Sequence, residues 1–490
     1  MLSLRLRLAD LAAPDWQWKL DRWITGVSWI KPVATKALAL KIVANGARHV
    51  TVVVRERREG EAEFTALDMR PGRVHLTAGA FGTAPLYLVA TGDDLRGEWD
   101  LAELRPRLRT DRLVPRVMAR TLSRRHRYTM DTLFEGVYRL TERATAVFTA
   151  AGLTVTYPEP AEHVLEPRAL RAGVDPLTAL DSLLSEVVDV APSPSGQVSL
   201  ELSGGADSGN VAVSVSAAGY EVIHSFGLLL SGPLGAQQRE RRRVLADQFG
   251  FRDTAVPAMQ HPPFVTGGVR ARGVPHDPAG EFYQEAFDVL REQAAARGCE
   301  VIFTGHGGDE INAHHSRTGT RLPPPEPVPW LGPAAAEALA EVDEHLAPIP
   351  VLPVPTLMAF GRHNPGYLRS GVWPVAPLAH PRVVRFMEQL PHEHKRGKAL
   401  FRDRLRRAGL PESVAEPAEP EHFLPLMDAG LRTYGLCALD RMLRESLLVD
   451  LGYVDHKALA LAREHAEHAP VVPDLLCDTI ALEIGLRALS

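Results

Sequence analysis

Short apolar runs broken by glycine-rich turns fill the first 160 residues, and strands alternating with helix-like segments follow them. VTVVVRE (Val50–Glu56), RVHLT (73–77) and APLYLVA (84–90) read as strands, with Gly79-Ala80-Phe81-Gly82 as a turn between them. Positions 114–122 read as a helix. AVFT (146–149) and LTVTY (153–157) read as a strand pair joined at Gly152. The pattern changes near Pro158. Asp175-Pro176 starts a helix, since Asp can cap free amides and Pro suits the first turn. Leu177, Leu180, Leu184, Val187 and Val188 then follow helical spacing. Strands at 198–202, 221–226 and 301–303 alternate with helices at 208–218, 237–249 and 287–297. That alternation predicts a doubly wound parallel sheet. A proline-rich connector at 322–330 (LPPPEPVPW) leads into a mostly helical remainder. The predicted fold class is α/β in two parts: an antiparallel sandwich over 1–160, then a parallel-sheet domain over 161–490 with a helical end.

Composition narrows the function classes. The chain has 490 residues, 45% of them hydrophobic, and a formal net charge of −5. A large core is easily supplied, and the charge balance does not suit a nucleic-acid binder. Cys299, Cys437 and Cys477 show no CxxC pairing or metal-ligand spacing, so they read as reduced thiols of a cytoplasmic protein. The most apolar run, 223–230, is too short to span a membrane.

Two stretches carry chemistry. In Leu200-Glu201-Leu202-Ser203-Gly204-Gly205-Ala206-Asp207-Ser208, a strand feeds a glycine turn that opens a helix. Glycines allow close approach of main-chain amides, and the helix N-terminus adds partial positive charge. Leu202, Ser203, Gly204, Gly205 and Ser208 thus form a candidate pyrophosphate nest. A carboxylate there would repel phosphate on its own, so Asp207 is read as a Mg²⁺ ligand. The stretch is not a Walker A loop, because no Gly-Lys-Ser/Thr follows. The plain alternative is a structural turn. The second stretch, VIFTGHGGDE (301–310), repeats the strand and glycine turn. A parallel sheet puts both strand ends on one edge. Gly305 then joins the phosphate site, Asp309 supplies a second Mg²⁺ ligand, and His306 enters the crevice. The alternative is a helix-capping Asp309 and a solvated His306.

Together these motifs resemble those of the asparagine-synthetase-like enzymes: asparagine synthetases, β-lactam synthetases and lasso peptide cyclases. That group shares SGGxDS and a later (S/T)GxGxDE-type loop. GTAPLY (82–87), Trp99-Asp100-Leu101-Ala102, TLFEGVYRL (132–140), GKALFR (397–402) and PESV (411–414) are similar to further family stretches. The resemblance implies a glutaminase-like (Ntn-like) domain at 1–160. At 161–490 it implies an ATP- and Mg²⁺-dependent domain that adenylates a carboxylate, releases pyrophosphate and couples the acyl group to an amine. By position it implies that Asp207 and Asp309 hold the metal. His306 falls near a family Glu or Tyr that helps deprotonate the amine, and Glu310 and Lys398 complete the candidate catalytic set.

Two departures refine this. Glutamine-using members carry Cys after Met1, whereas this chain has Leu2 and Ser3. The amine is then expected on the substrate itself, which favours ring closure. A family Lys is also missing from 416–423 (EPAEPEHF), where Lys395, Lys398 or Arg402 are the substitutes. The expected substrate is a ribosomal precursor peptide closed by an isopeptide bond, with a leader-removing protease and a leader-binding protein as partners. The alternatives are a small-molecule carboxylate, as in β-lactam formation, and a non-catalytic ATP- or peptide-binding scaffold. A tRNA-thiolating enzyme would need cysteines near the loop and a basic surface. Nine arginines between Arg105 and Arg127 read as a solvated helix face or a strip for an acidic partner. His314 and His315 read as helix surface or pocket lining. Glu240, Asp277 and Glu281 are candidates near the pocket.

Overall fold

The computed structural model describes residues 2–32, 38–44, 49–56, 63–164, 166–189, 197–312, 327–419 and 421–490. His314, His315 and most of the proline-rich connector lie outside them, as does Pro420 of the 416–423 stretch.

Two antiparallel sheets occupy the first third of the chain. One has seven strands, in the order Val137–Arg139, Tyr87–Thr91, Asp94–Glu98, Leu2–Arg7, Ser28–Pro32, Arg22–Thr25, Gln17–Lys19. The other has six: Gly152–Thr156, Thr145–Thr149, Arg73–Ala78, Glu63–Arg70, Val50–Glu56, Leu38–Ala44. Leu4, Leu6, Leu88 and Leu95 of the first pack with Val52, Leu67, Leu76 and Phe148 of the second in one core. The two sheets therefore pack face to face. LSLRLR at Leu2–Arg7 buries its leucines and alternates them with partly exposed residues, the period-two signature of a strand. The strand predicted at 84–90 begins only at Tyr87; Pro85 has no amide to give a ladder.

The other face of the seven-stranded sheet is covered by helices. Tyr87, Val89 and Val137 share a core with Leu439 and Met442 of Leu436–Met442 and with Ile480 and Leu486 of Leu476–Leu489. The arginine-rich segment is divided: Arg105, Arg109 and Arg112 are exposed, whereas Arg120, Arg124 and Arg127 reach across to other elements. Arg120 is 2% exposed and donates to the carbonyls of Val342 and Glu344. Arg124 pairs with Asp474 and Asp478, and Arg127 with Asp343.

A five-stranded parallel sheet follows, in the order Arg252–Pro257, Val222–Leu229, Gln197–Glu201, Val301–Phe303, Trp373–Val375. Val198, Leu200, Val301 and Phe303 face a core shared with helices Pro176–Asp189 and Ala206–Ala217. Phe226, Leu228 and Ile302 face the opposite core with Gln284–Ala296. Both faces are covered, as a doubly wound sheet requires. The chain moves outward from Gln197–Glu201 in one direction, then restarts on its other side with Val301–Phe303. The switch point, where such sheets form a crevice beyond their carboxyl ends, lies between those two strands. Trp373–Val375 interrupts the stretch expected to be helical; its central Pro374 is tolerated because the strand is at the sheet edge. No helix among the described residues is long and apolar enough to cross a membrane.

Candidate active site

The two glycine loops leave the carboxyl ends of the two switch-point strands. In the first, the Leu202 amide still donates to Phe226 of the neighbouring strand, at 2.7 Å. Gly204 then turns with φ +93°, a conformation that suits glycine, and its carbonyl accepts from Arg241 Nε at 3.0 Å. Ser203 and Ser208 hold the loop shut. The Ser203 amide donates to Ser208 Oγ at 3.2 Å, and the Gly205 amide to Ser203 Oγ at 3.1 Å. Gly205 caps the helix Ala206–Ala217 without a side chain, which leaves the first-turn amides facing the crevice end.

The second loop packs directly on the first. A Cβ at Gly308 would stand 2.4 Å from Asp207 Cγ, and one at Gly305 would stand 3.0 Å from the Ser208 amide nitrogen. Only glycine lets the loops approach this closely. Asp309 follows at the start of the short helix Gly308–Asn312. Its carboxylate is 81% exposed, against 19% for Asp207.

Lys398 joins the two. Its Nζ lies 2.7 Å from Asp207 Oδ2 and 2.6 Å from Asp309 Oδ1. The backbone is bent to place it: Gly397 and Lys398 both have left-handed φ, 58° and 59°. A lysine in that region costs about 1 kcal/mol, which its ion pairs offset. Burial works to lower the Lys398 pKa, but Asp207 and Asp309 outweigh it, and the net direction is upward. Burial pushes Asp207 up to about 6 despite the lysine. Asp207 Oδ1 is buried and has no hydrogen-bond partner.

These observations fit a divalent cation. An ammonium already stands between the two carboxylates, and a buried carboxylate oxygen is left without a donor. No group of three or more His, Cys, Asp or Glu among the described residues is arranged to hold a metal. Mg²⁺ at Asp207 and Asp309 would therefore complete its shell with phosphate oxygens and water, its usual habit with nucleotides.

His306 turns away from this pair. Its Nδ1 lies 3.1 Å from Thr304 Oγ1, and its ring sits 5.1 Å from the His363 ring and edge-on to Phe360. Burial, reinforced by His363, holds its pKa down to about 3, so the imidazole is neutral near pH 7 and a poor proton acceptor. Behind it, His363 pairs with Glu281, which also pairs with Arg291 at 2.6 Å. Burial opposes the ionised form of Glu281, but Arg291 and His363 prevail and hold its pKa down to about 2. Glu310 is partly buried, and burial raises its pKa.

Among the other candidates, Lys395 is partly buried and faces Glu388, and Arg402 pairs with Glu416 at 2.8 Å. Neither reaches the carboxylates. Glu240 is not at the pocket: it pairs with Arg243 on the exposed side of Gly232–Phe249. Asp277 is also elsewhere, partly buried near the Tyr87 hydroxyl. Two residues that sequence reasoning missed are Arg241 and Glu421. Arg241, 3% exposed, supports Gly204 and pairs with Glu421 at 2.6 Å. Burial raises the Glu421 pKa, while Arg241 and Ser203 pull against it. Glu421 thus places a carboxylate against the first loop. The acidic run 416–421 was the only signal.

No family model matches the chain, and no curated protein matches it. Among solved structures it is similar to the U34-tRNA thiolase NcsA from Methanococcus maripaludis with its [4Fe-4S] cluster. The identity is 13%, the match covers 50% of this chain and 82% of that one, and the TM-score is 0.25. The functional reading rests on this chain's own residues.

Proposed function

We propose that the chain is an ATP- and Mg²⁺-dependent amide ligase of the PP-loop ATP pyrophosphatase type. A substrate carboxylate oxygen bonds to the α-phosphorus of ATP and pyrophosphate leaves. An amine nitrogen then bonds to the acyl carbon, AMP leaves, and the amine gives up a proton. The observation that supports this best is the cation position between Asp207 and Asp309, set at the switch point where two glycine loops meet. Mg²⁺, when bound there, would neutralise charge on the nucleotide phosphates.

The chain's own groups have separable parts. The first-turn amides of Ala206–Ala217, with Ser203 and Ser208, hold the pyrophosphate oxygens. Gly305 lets the second loop close over them. Lys398 would be released toward the phosphate oxygens if Asp207 and Asp309 held a cation, and would stand in for the lysine missing from 416–423. Glu310, whose pKa burial raises, takes the amine proton, and neutral His306 orients the amine by a hydrogen bond. Glu421 yields its place against Ser203 to phosphate, leaving Arg241 to face the nucleotide.

The proposed substrate is a ribosomal precursor peptide whose Asp or Glu side chain is joined to its own N-terminal amine. A leader-removing protease and a leader-binding protein would supply it. Residues 1–160 are proposed as a glutaminase-like domain without its nucleophile, and 161–490 as the ligase domain. A small carboxylic acid that closes to a lactam is the alternative substrate. A second reading, a scaffold without turnover, draws on Glu421, whose carboxylate competes with phosphate for the first loop.

The test is Mg·ATP-dependent pyrophosphate release with candidate peptides, followed by mass spectrometry, with Asp207→Ala as control. Pyrophosphate release with loss of one water mass is expected from the wild type alone. Wild-type turnover no greater than the control with every acid offered would leave the scaffold reading in its place.

A further inference from the structure

The junction between the seven-stranded sheet and the helix Val354–Arg369 contains a cavity of about 120 Å³ that opens to solvent. Arg120, Arg139, Arg362 and His126 line it, together with Asp131 and Asp277. None of the glycine-loop residues does.

The cations in this cavity are only loosely matched by anions. Arg120 is 2% exposed, and its Nη1 makes no hydrogen bond and lies 3.8 Å from Asp131. Asp131 is already held by Arg116 at 2.9 Å. Arg139 makes one long bond, 3.4 Å to the Leu357 carbonyl, and lies over the Tyr128 ring. Arg362 lies 5.4 Å over the Phe282 ring and makes no hydrogen bond among the described residues. Asp277 accepts from the Ala279 amide at 2.9 Å and faces the Tyr87 hydroxyl. His126 Nε2 is buried without a partner, and burial with the surrounding arginines keeps the ring neutral.

A guanidinium cannot escape burial by losing its proton, so its charge must be matched. Three guanidiniums converge here on two carboxylates, of which Asp131 is held more closely by Arg116 than by Arg120 and Asp277 makes no close ion pair among the described residues. An incoming anion would gain charge-assisted, two-pronged hydrogen bonds. Val117, Leu133 and Met358 add an apolar stretch to the wall, beside the threonines Thr121, Thr129 and Thr132. We propose that this cavity binds a monocarboxylate with a short apolar body, its carboxylate held by Arg120, Arg139 and Arg362. The carboxylate belongs either to a free organic acid or to a peptide C-terminus.

Thermal unfolding of the full chain tests this independently of any ligase activity. The probes are butyrate, inorganic phosphate and an N-acetylated dipeptide with a free C-terminus, each against sodium chloride of equal ionic strength. Butyrate at ten times its dissociation constant is expected to raise the midpoint by about 2 °C. Phosphate, without an apolar body, is expected to do less. Arg362→Gln should weaken butyrate binding about tenfold, and Arg362→Lys, which keeps the charge but not the fork, should weaken it several-fold. A larger shift with butyrate assigns the site to a free acid, and a larger shift with the dipeptide to a peptide terminus. The proposal is overturned if sodium chloride matches butyrate, if phosphate does as well as butyrate, or if both Arg362 variants bind butyrate like the wild type.

Discussion

The two glycine loops use one device, a strand that turns into a helix start, yet they differ in how firmly they are held. The first opens a helix of 12 residues, is cross-braced by two serines and buries Asp207. The second opens a helix of five residues and leaves Asp309 exposed. The contrast suggests a division of labour. Asp207 bears the cost of desolvation, so it has the greater need of a cation, and the wall around it is fixed. Asp309 is solvated without a cation and is free to adjust.

If that division is right, Asp207→Ala has the largest effect, a loss of about 10³-fold in pyrophosphate release at unchanged fold. Next comes the support behind the second loop. Removing one partner of the buried pair in Glu281→Gln should cost about 3 kcal/mol at neutral pH, read by denaturant unfolding. The sign with pH is fixed by the direction of the shift. Glu281 is held at about 2, below the ordinary 4.5, so its contribution is full above about 4.5 and is lost as pH falls toward 2. Wild type and variant should therefore converge in stability on acidification; a constant gap would show that the ion pair is not its source. Gly308→Ala, which drives a Cβ into Asp207, should lower turnover about 10²-fold by moving that carboxylate. Asp309→Asn should be mildest, about tenfold, with most of the loss recovered at high Mg²⁺. Equal losses from Asp207→Ala and Asp309→Asn would erase the distinction between the loops.

The candidate site was legible in the sequence where its residues are contiguous. Ser203, Gly204, Gly205, Asp207 and Ser208 are contiguous, as are Gly305 to Glu310, and the strand before each loop is short and apolar. What the sequence hid is what the fold brings together over distance. Glu421 reaches a loop more than 200 residues earlier through Arg241, and no spacing rule predicts such a contact. The strand Leu2–Arg7 was visible in its alternation but disguised by its arginines. Trp373–Val375 was hidden for a physical reason: a central proline forbids an interior strand and is permitted at an edge. The nine arginines illustrate the limit of composition, since charge count alone does not distinguish solvated from buried guanidiniums.

The bridge from Lys398 to Asp207 spans 191 residues of chain. Synthesis adds about 5–20 residues per second, so Asp207 leaves the ribosome about 10–40 s before its lysine exists. In that interval the strands Gln197–Glu201 and Val222–Leu229 can pair while the second loop and then the ammonium are still to come. The nascent chain therefore carries the first glycine loop and its buried carboxylate for that whole interval before the ammonium that bridges it can arrive.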